Sequence, residues 1–460
     1  MNNSHDVLNE PIPRLLREMA IPTSVGFFFN TMFNVVDTFY GGMVSTQALA
    51  ALSLSFPVFF LIIAIGAGIS SGATALIGHA LGAGDEAEAR RYACQTISFG
   101  CIHGVLVSLL GLALAPRLFV LLGAQGEYLV MALSYMNAIF AGGLFFLVNY
   151  VFNSILNATG DTRSFRNFLV VGFFLNLLFD PWFLFGGLGL PAMGLAGIAW
   201  ATVVVQAMGN GYLFTRVLKT GMLSGFAWRR LIPEGRPYRD LARQGFPSSL
   251  NMLTVAIGIF VITWVLSRFG KDAVAAYGIA TRIEQLALLP VMGLNIATLA
   301  LVAQNNGARQ LARVTETIVT ALKTGVTLMS VGTVTIYLGA GLFMGFFTRD
   351  PAVIAIGVAF LHIEAFVLSA YVILYTSVSA LQGLKRPQFA LWIGLFRQIV
   401  APLPVFYLFA NRLGWGITGI WWGVFLVTWT AACIALLFIR RTLRVLHVEG
   451  QGAAAGSAGT

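Results

Sequence analysis

The chain is 460 residues long, 58% hydrophobic and 10% charged, with a mean hydropathy of +0.82 and a net charge of +10. A soluble domain carries about 25% charge, and a chain this long and apolar has too few polar groups to coat a water-facing surface. These numbers exclude a soluble enzyme, a nucleic-acid-binding domain and a disordered chain, and leave an all-α polytopic membrane protein.

The N-terminal stretch is polar and charged, with Asp6, Glu10, Arg14, Arg17 and Glu18. It lacks the pattern of a cleaved signal peptide, so the first apolar helix is expected to stay as an anchor. A span needs about 20 apolar residues. Twelve runs qualify: 19–42, 47–80, 92–115, 127–156, 168–186, 194–217, 246–268, 273–304, 315–340, 351–381, 388–410 and 417–439. They far exceed the roughly ten-residue alternating strands of a transmembrane barrel. Of the 28 Lys and Arg, 20 fall in the N-terminus, the even-to-odd loops and the C-terminal tail. Five (Arg117, Arg268, Lys271, Arg349, Arg412) lie in the opposite loops, and three (Arg282, Lys323, Arg397) lie within spans. This bias places both termini in the cytoplasm and explains the net charge without a polyanionic partner.

Taken in order, span 1 carries Asp37 about 8 Å short of its outer end. Spans 2 and 3 contain small-residue stretches, Gly68-Ile69-Ser70-Ser71-Gly72 and Gly100-Cys101-Ile102-His103-Gly104, that suit close helix packing. His79 ends span 2 near the cytoplasm, and His103 is expected to bond across its packing face. Asn157-Ala158-Thr159 matches a glycosylation sequon but falls in a loop expected on the cytoplasmic side. Span 5 carries Asp180 about 9 Å short of its outer end, with Asn176 one turn below, and Thr202 lies about 12–13 Å into span 6. Asp37, Asn176, Asp180 and Thr202 thus share a depth in one half, and all offer oxygen. A carboxylate in hydrocarbon is expensive and normally meets a cavity or a partner. The four suit a hard cation such as Na⁺, or a carboxyl pair sharing a proton; the plainer alternative is hydrogen bonding between helices. Pro181 frees a backbone carbonyl beside Asp180.

The hydrophilic stretch Lys219–Gly245 separates six spans from six. The expected organisation is an N-lobe at 1–218, a cytoplasmic linker at 219–245, a C-lobe at 246–440 and a flexible tail at 441–460. Ala50-Ala51 recurs as Ala275-Ala276, and Ile77–Ala83 aligns with Val302–Ala308, both 225 residues apart. A second match pairs Ser154…Gly160 with Ser377…Gly383 and Gly197-Ile198-Ala199-Trp200 with Gly419-Ile420-Trp421-Trp422, at an offset of 222–223. Two copies of six spans face the same way and suit alternating access. The second half holds Glu284, Arg282, Glu364 and Arg397 within its spans. Arg282 and Glu284 are two apart and do not face each other. Glu284 is a candidate for substrate contact, or for a partner such as Arg397, and Glu364 is a similar candidate. Ile262 and Leu403 take the places of Asp37 and Asp180, so ion coupling is expected in the N-lobe.

Cys94, Cys101 and Cys433 form no disulfide framework. No phosphate-binding GxxxxGK[ST], HExxH or GxSxG occurs, so no ATP engine, cofactor or enzyme chemistry is expected. Pro22, Asn34-Val35-Val36-Asp37-Thr38 and Leu49-Ala50-Ala51 together resemble the first spans of the multidrug and toxic compound extrusion (MATE) transporters. Gly78–Gly84 and Ala303–Ala308 are similar to that family's paired "GQ-x-x-GA" loops, with His79 in place of the usual Gln. Asn176–Pro181, then Gly194…Ala201-Thr202, resemble its spans 5 and 6. The resemblance covers about residues 10–440. It implies an antiporter in the bacterial inner membrane that exports organic, often cationic, amphiphiles while H⁺ or Na⁺ enters. It also implies that Asp37, Asn176, Asp180 and Thr202 couple the ion, and that Pro22 bends span 1. Span 7 lacks the acid some branches carry, which places the chain nearer the DinF-like branch. The expected partners are small organic molecules and the bilayer, with no nucleic acid and no ATP-binding subunit, the chain acting as a monomer. The competing readings are a flippase for lipid-linked or other anionic amphiphiles, favoured by Arg282 and Arg397, a channel, and a receptor. No filter loop supports a channel, and no loop is long enough to fold as a receptor domain.

Overall fold

A computed structural model describes residues 6–225 and 227–457, with side chains through residue 449. Among these residues are fifteen α-helices and a single isolated bridge, Gly187 to Leu190. The first seven are α1 (Ile12–Val44), α2 (Thr46–Gly82), α3 (Glu86–Leu121), α4 (Gly126–Ala141), α5 (Gly143–Ala158), α6 (Arg163–Phe185) and α7 (Leu195–Lys219). A 3-10 turn, Trp228–Leu231, precedes α8 (Gly235–Leu266), α9 (Lys271–Gly307), α10 (Leu311–Phe347), α11 (Pro351–Glu364) and α12 (Leu368–Gly383). Helices α13 (Gln388–Leu395) and α14 (Pro402–Phe406) alternate with π-helical turns at Phe396–Val400 and Tyr407–Arg412, before α15 (Gly416–Ser457). The last helix therefore continues through 441–457; the end of the expected tail, 458–460, lies outside the described residues.

Among the described residues, nine helical stretches are long and apolar enough to cross a bilayer, and two more crossings are bent pairs. The α4–α5 pair bends by 47° and the α11–α12 pair by 54°. The twelfth crossing is α7, whose 25 residues span about 37 Å at 1.5 Å each. Its polar Gln206 and Asn210 and its terminal Arg216 and Lys219 lower its mean hydropathy. The chain is thus an all-α integral membrane protein of twelve crossings in two six-helix lobes.

Local sequence sets the ends of these helices. Ser45 caps α2 by accepting from the Ala48 amide at 3.0 Å, and Asp85 caps α3 through the Glu88 amide at 2.9 Å. Asp350 caps α11 with Pro351 in its first turn. Gly160, in the left-handed region, ends α5, where its amide and that of Asp161 close on Asn157 and Leu156. The repeat is visible in these boundaries. Helix α9 begins and ends 225 residues after α2, α12 does so relative to α5, and α3, α4 and α6 begin 225 residues before α10, α11 and α13. The left-handed Gly84 and Gly160 recur as Arg309 and Lys385 at the same offset. This corrects the second sequence match: Gly160 corresponds to Lys385, not Gly383. The slip arose because small residues recur every few positions in both helices.

The chain forms two compact units. One, the N-lobe, takes Val25–Ser249; the other, the C-lobe, takes Asp6–Ser24 and Leu250–Thr460. Each lobe therefore includes the lead-in of the other half's first helix. In the C-lobe, Ile12, Leu15, Leu16 and Met19 bury against Leu294, Ala297, Leu301 and Ala321. Arg313 Nη2 donates to the carbonyls of Val7 (3.0 Å) and Glu10 (2.7 Å). In the N-lobe, Gln95 Nε2 donates to the carbonyls of Arg230 (2.8 Å) and Ile232 (2.9 Å), Tyr92 donates to Asp240 (2.8 Å), and Arg91 pairs with Glu234. The tight joints are equivalent. A Cβ on Gly293 would overlap Ser24 Oγ and the Ala20 carbonyl, and one on Gly68 would overlap Ser249 Oγ and the Gly245 carbonyl. Gly100 and Gly104 likewise let α3 close on Val151 and Leu144 of α5. His103 instead bonds within its own helix, its Nδ1 lying 2.8 Å from the Phe99 carbonyl and its ring packed at a tilt against Phe99. Asn157 is not in a loop; it is buried in α5.

Candidate functional site

The N-lobe polar site depends on small residues that let three helices close. Gly26 and Gly172 bring α1 and α6 together: an added Cβ on Gly26 would lie 3.1 Å from Leu169, and Gly172 faces Phe33. Gly197 packs α7 on the Phe183 backbone, and Gly209 packs it on the Phe168 ring. Asp37, Asn176, Asp180 and Thr202 then converge, all buried. Asn176 Nδ2 donates to Asp37 Oδ1 at 2.7 Å and to Asp180 Oδ2 at 2.9 Å. The two carboxyls are within hydrogen-bonding reach of each other, and Thr202 is within reach of Asp37. Asn176 Oδ1 and Asp180 Oδ1 have no hydrogen-bond partner.

Two features of this site were not legible in the sequence. Tyr135 of α4 is buried beside Asp37 and Asp180. Nothing in the spacing of span 4 distinguishes it from other core aromatics. The carbonyl freed by Pro181 belongs to Leu177, and it accepts from the Tyr40 hydroxyl at 3.3 Å. That carbonyl is therefore met by α1, rather than left open to the acid cluster as the sequence suggested. Among the described residues no group of three or more His, Cys, Asp or Glu could hold a metal ion. Any cation at the N-lobe site would rely on the amide, hydroxyl and carboxyl oxygens of these four side chains.

The C-lobe brings three of its four candidates together. Pro402 and Pro404 lack amides, and the backbone before them shifts register so that the Ala401 amide reaches the Phe396 carbonyl at 2.9 Å. This π-turn carries Arg397, which is buried. Its guanidinium lies 5.3 Å and 5.7 Å from the ring centres of Tyr371 and Tyr375, and its Nη2 is 3.3 Å from the Tyr375 hydroxyl. Those two rings stack one turn apart on α12, 5.5 Å between centroids. Glu284 of α9 and Glu364 of α11 face the same group. Glu364 is 2% exposed, and neither of its carboxyl oxygens has a hydrogen-bond partner. Arg282 is exposed on α9 and takes no part in the cluster. Pro22 lies inside α1, two residues before the point where that helix passes from one unit to the other, and Pro247 holds the equivalent place in α8.

Comparison with known proteins matches the MatE family model twice, over residues 22–182 and 247–408, once in each repeat. A relative from Shewanella oneidensis described as a FAD transporter is 29% identical over 409 residues, covering 88% of this chain and 90% of the relative. A probable multidrug resistance protein NorM from Thermotoga maritima is 27% identical, covering 95% and 93%. The multidrug export protein MepA of Staphylococcus aureus is 22% identical over 93% and 94%. Among solved structures, a MOP superfamily transporter from Pyrococcus furiosus superposes with a TM-score of 0.90 at 25% identity, over 97% of this chain and 99% of that one. A MATE in the bent conformation gives 0.91 at 25% identity, over 98% and 100%.

Proposed function

Because this chain belongs to the MatE family and is a multi-pass membrane transporter, we propose that it exports organic, cationic amphiphiles in exchange for protons. Asp37, Asn176, Asp180 and Thr202 form the coupling site in this reading. It works as a single chain in a bacterial inner membrane, with both termini cytoplasmic, by alternating access of its lobes and with no cofactor beyond the coupling ion. The observation that carries the reading is the Asn176 amide. Its nitrogen donates to both carboxyls, and so fills with N–H dipoles the place a sodium ion would take between them. A proton needs no such space. Protonation from outside neutralises the pair and removes the charge that holds a cationic cargo. Cargo then leaves outward, and the proton is released inside after the lobes exchange access. A ligand that bound both facing states equally could drive no such exchange. Pro22 and Pro247 loosen α1 and α8 near the unit boundaries, where each helix must flex.

The test is dye uptake by proteoliposomes of known orientation, under a proton gradient alone and a sodium gradient alone. Uptake should follow the proton gradient and disappear in Asp37→Asn and in Asp180→Asn, each shown to insert. Normal transport by both variants would remove the N-lobe from coupling. A second reading, export of an anionic amphiphile, is favoured by two observations. One relative is described as a FAD transporter, and FAD is anionic. Arg282 is exposed, and so is an accessible base for such a cargo. No dye movement under either gradient, together with uptake of an anionic dinucleotide, would establish it.

A further inference from the structure

We infer that the segment joining the two repeats, from Trp228 to Phe246, is a membrane-surface anchor whose arginines hold the headgroups of anionic phospholipids. Its charges are sorted by direction. The segment carries two acids, and both are engaged by α3: Glu234 accepts from Arg91 Nε at 2.7 Å, and Asp240 accepts from the Tyr92 hydroxyl at 2.8 Å. Its five arginines, Arg229, Arg230, Arg236, Arg239 and Arg243, are all exposed. Arg236 lies 4.0 Å from carboxylate oxygens of Glu88 and Asp240. Among the described residues the other four have no acidic partner. Arg236, Arg239 and Arg243 recur at i, i+3 and i+7, and so share one face of α8. The fold thus turns the acids of this segment inward and leaves a surface of one sign.

That surface sits at the depth of a headgroup layer. The 3-10 turn is tied to α3, where Gln95 Nε2 donates to the Arg230 carbonyl and Ser98 Oγ donates to that of Leu231. The first large apolar side chain exposed on α3 is Ile102, about 6 Å beyond Ser98. On α8 it is Phe246, about 4.5 Å beyond Arg243. Both helices therefore change from polar to apolar surface just past the arginines. Trp228 and Ile232 flank the turn and are 80% and 61% exposed. Tryptophan is favoured at the boundary between water and hydrocarbon, and arginine reaches phosphates while its stem lies along apolar surface. A free anion would have no use for those two apolar side chains; a lipid surface covers them. The positive-inside bias brings this segment to the cytoplasmic leaflet, whose anionic lipids attract basic segments beside the membrane. The inference rests on that placement and on nothing about cargo or coupling ion.

The test is thermal unfolding of the purified full chain in neutral detergent, titrated with phosphatidylglycerol or with phosphatidylcholine. The midpoint should rise at a lower concentration of phosphatidylglycerol, and inorganic phosphate should not move it. The fourfold variant Arg229→Gln/Arg230→Gln/Arg239→Gln/Arg243→Gln should raise the half-maximal phosphatidylglycerol concentration about tenfold. Its lipid-free midpoint should stay in place, because none of the four arginines has an ion pair to lose. The same four positions changed to Lys keep the charge and should keep the preference. Arg440→Gln/Arg441→Gln/Arg444→Gln in α15 should leave it unchanged, which separates this surface from basic charge in general. The half-variants Arg229→Gln/Arg230→Gln and Arg239→Gln/Arg243→Gln should each shift the half-maximal concentration about threefold, and they keep the inference testable if the fourfold variant does not fold. Equal response of the native chain to the two lipids would overturn it. So would a preference that survives in the fourfold variant and both half-variants, or a response to free phosphate equal to that to phosphatidylglycerol. Lipid binding is read without transport, so this result and the fate of the antiport reading are separate.

Discussion

Asn176 spends both amide hydrogens on buried carboxyls, and few single side chains in the molecule do more. Hydrogen bonds to charged or charge-sharing groups contribute about 1.5–3 kcal/mol each, so Asn176→Ala should destabilise the N-lobe by roughly 2–4 kcal/mol. Thermal unfolding in detergent would measure this, and an unchanged midpoint would show that the bridge is not formed. Backbone conformation gives a prediction of opposite sign. Lys385 sits at a φ of 61°, where its N-lobe counterpart is Gly160. A left-handed L-residue costs roughly 1–2 kcal/mol, partly offset by the greater entropy glycine loses on folding. Lys385→Gly should therefore stabilise the protein by about 0.5–1 kcal/mol, and Gly160→Ala should destabilise it by a similar amount.

Helix α9 contains both kinds of glycine that a membrane helix uses. Gly278 faces open space, whereas a Cβ on Gly293 would strike the Ala20 backbone carbonyl. Gly278→Ala should stabilise by up to about 1 kcal/mol through helix propensity, and Gly293→Ala should destabilise by roughly 1–3 kcal/mol through overpacking. The same melting series distinguishes them. Elements of this length were readable in the sequence because twenty-residue apolar runs admit little else. The breaks within spans were not: Phe140 to Phe146 is apolar throughout and Ile363 to Leu368 is apolar except for Glu364, so the apolar run continues across each bend. The N-lobe acids were readable because a carboxylate in an apolar run is conspicuous and helical rise fixes its depth. Their neighbour Tyr135 was not, since twelve tyrosines look alike until a fold selects one. The C-lobe cluster was only half readable. Its charged members were visible, and Arg397 was a candidate partner for Glu284, but the π-turn that buries Arg397 depends on a register shift that no periodicity announces.

At the scale of the molecule, equivalent helices carry unlike chemistry. In one lobe an amide bridges two acids, in the other a buried arginine lies against two tyrosine rings, although several helix boundaries coincide at a constant offset. The scaffold is symmetric and the sites are not, as expected when a duplicated framework is kept for its packing while its polar residues diverge. Ala20, Pro22 and Ser24 recur as Gly245, Pro247 and Ser249, and in both copies the segment bearing them completes the opposite lobe. A lone six-helix ancestor built this way would have lacked a piece of its own core and found it only in a second molecule, as domain-swapped dimers do. Fusing the two genes makes that exchange permanent and independent of concentration. The inheritance can be tested by severing it. Fragments Met1–Gly225 and Phe226–Thr460, expressed together, should copurify, each supplying the other's missing segment. The second fragment alone leaves Leu294 and Leu301 without their cover and should be degraded; its stable accumulation as a monomer would mean that neither half ever depended on a partner.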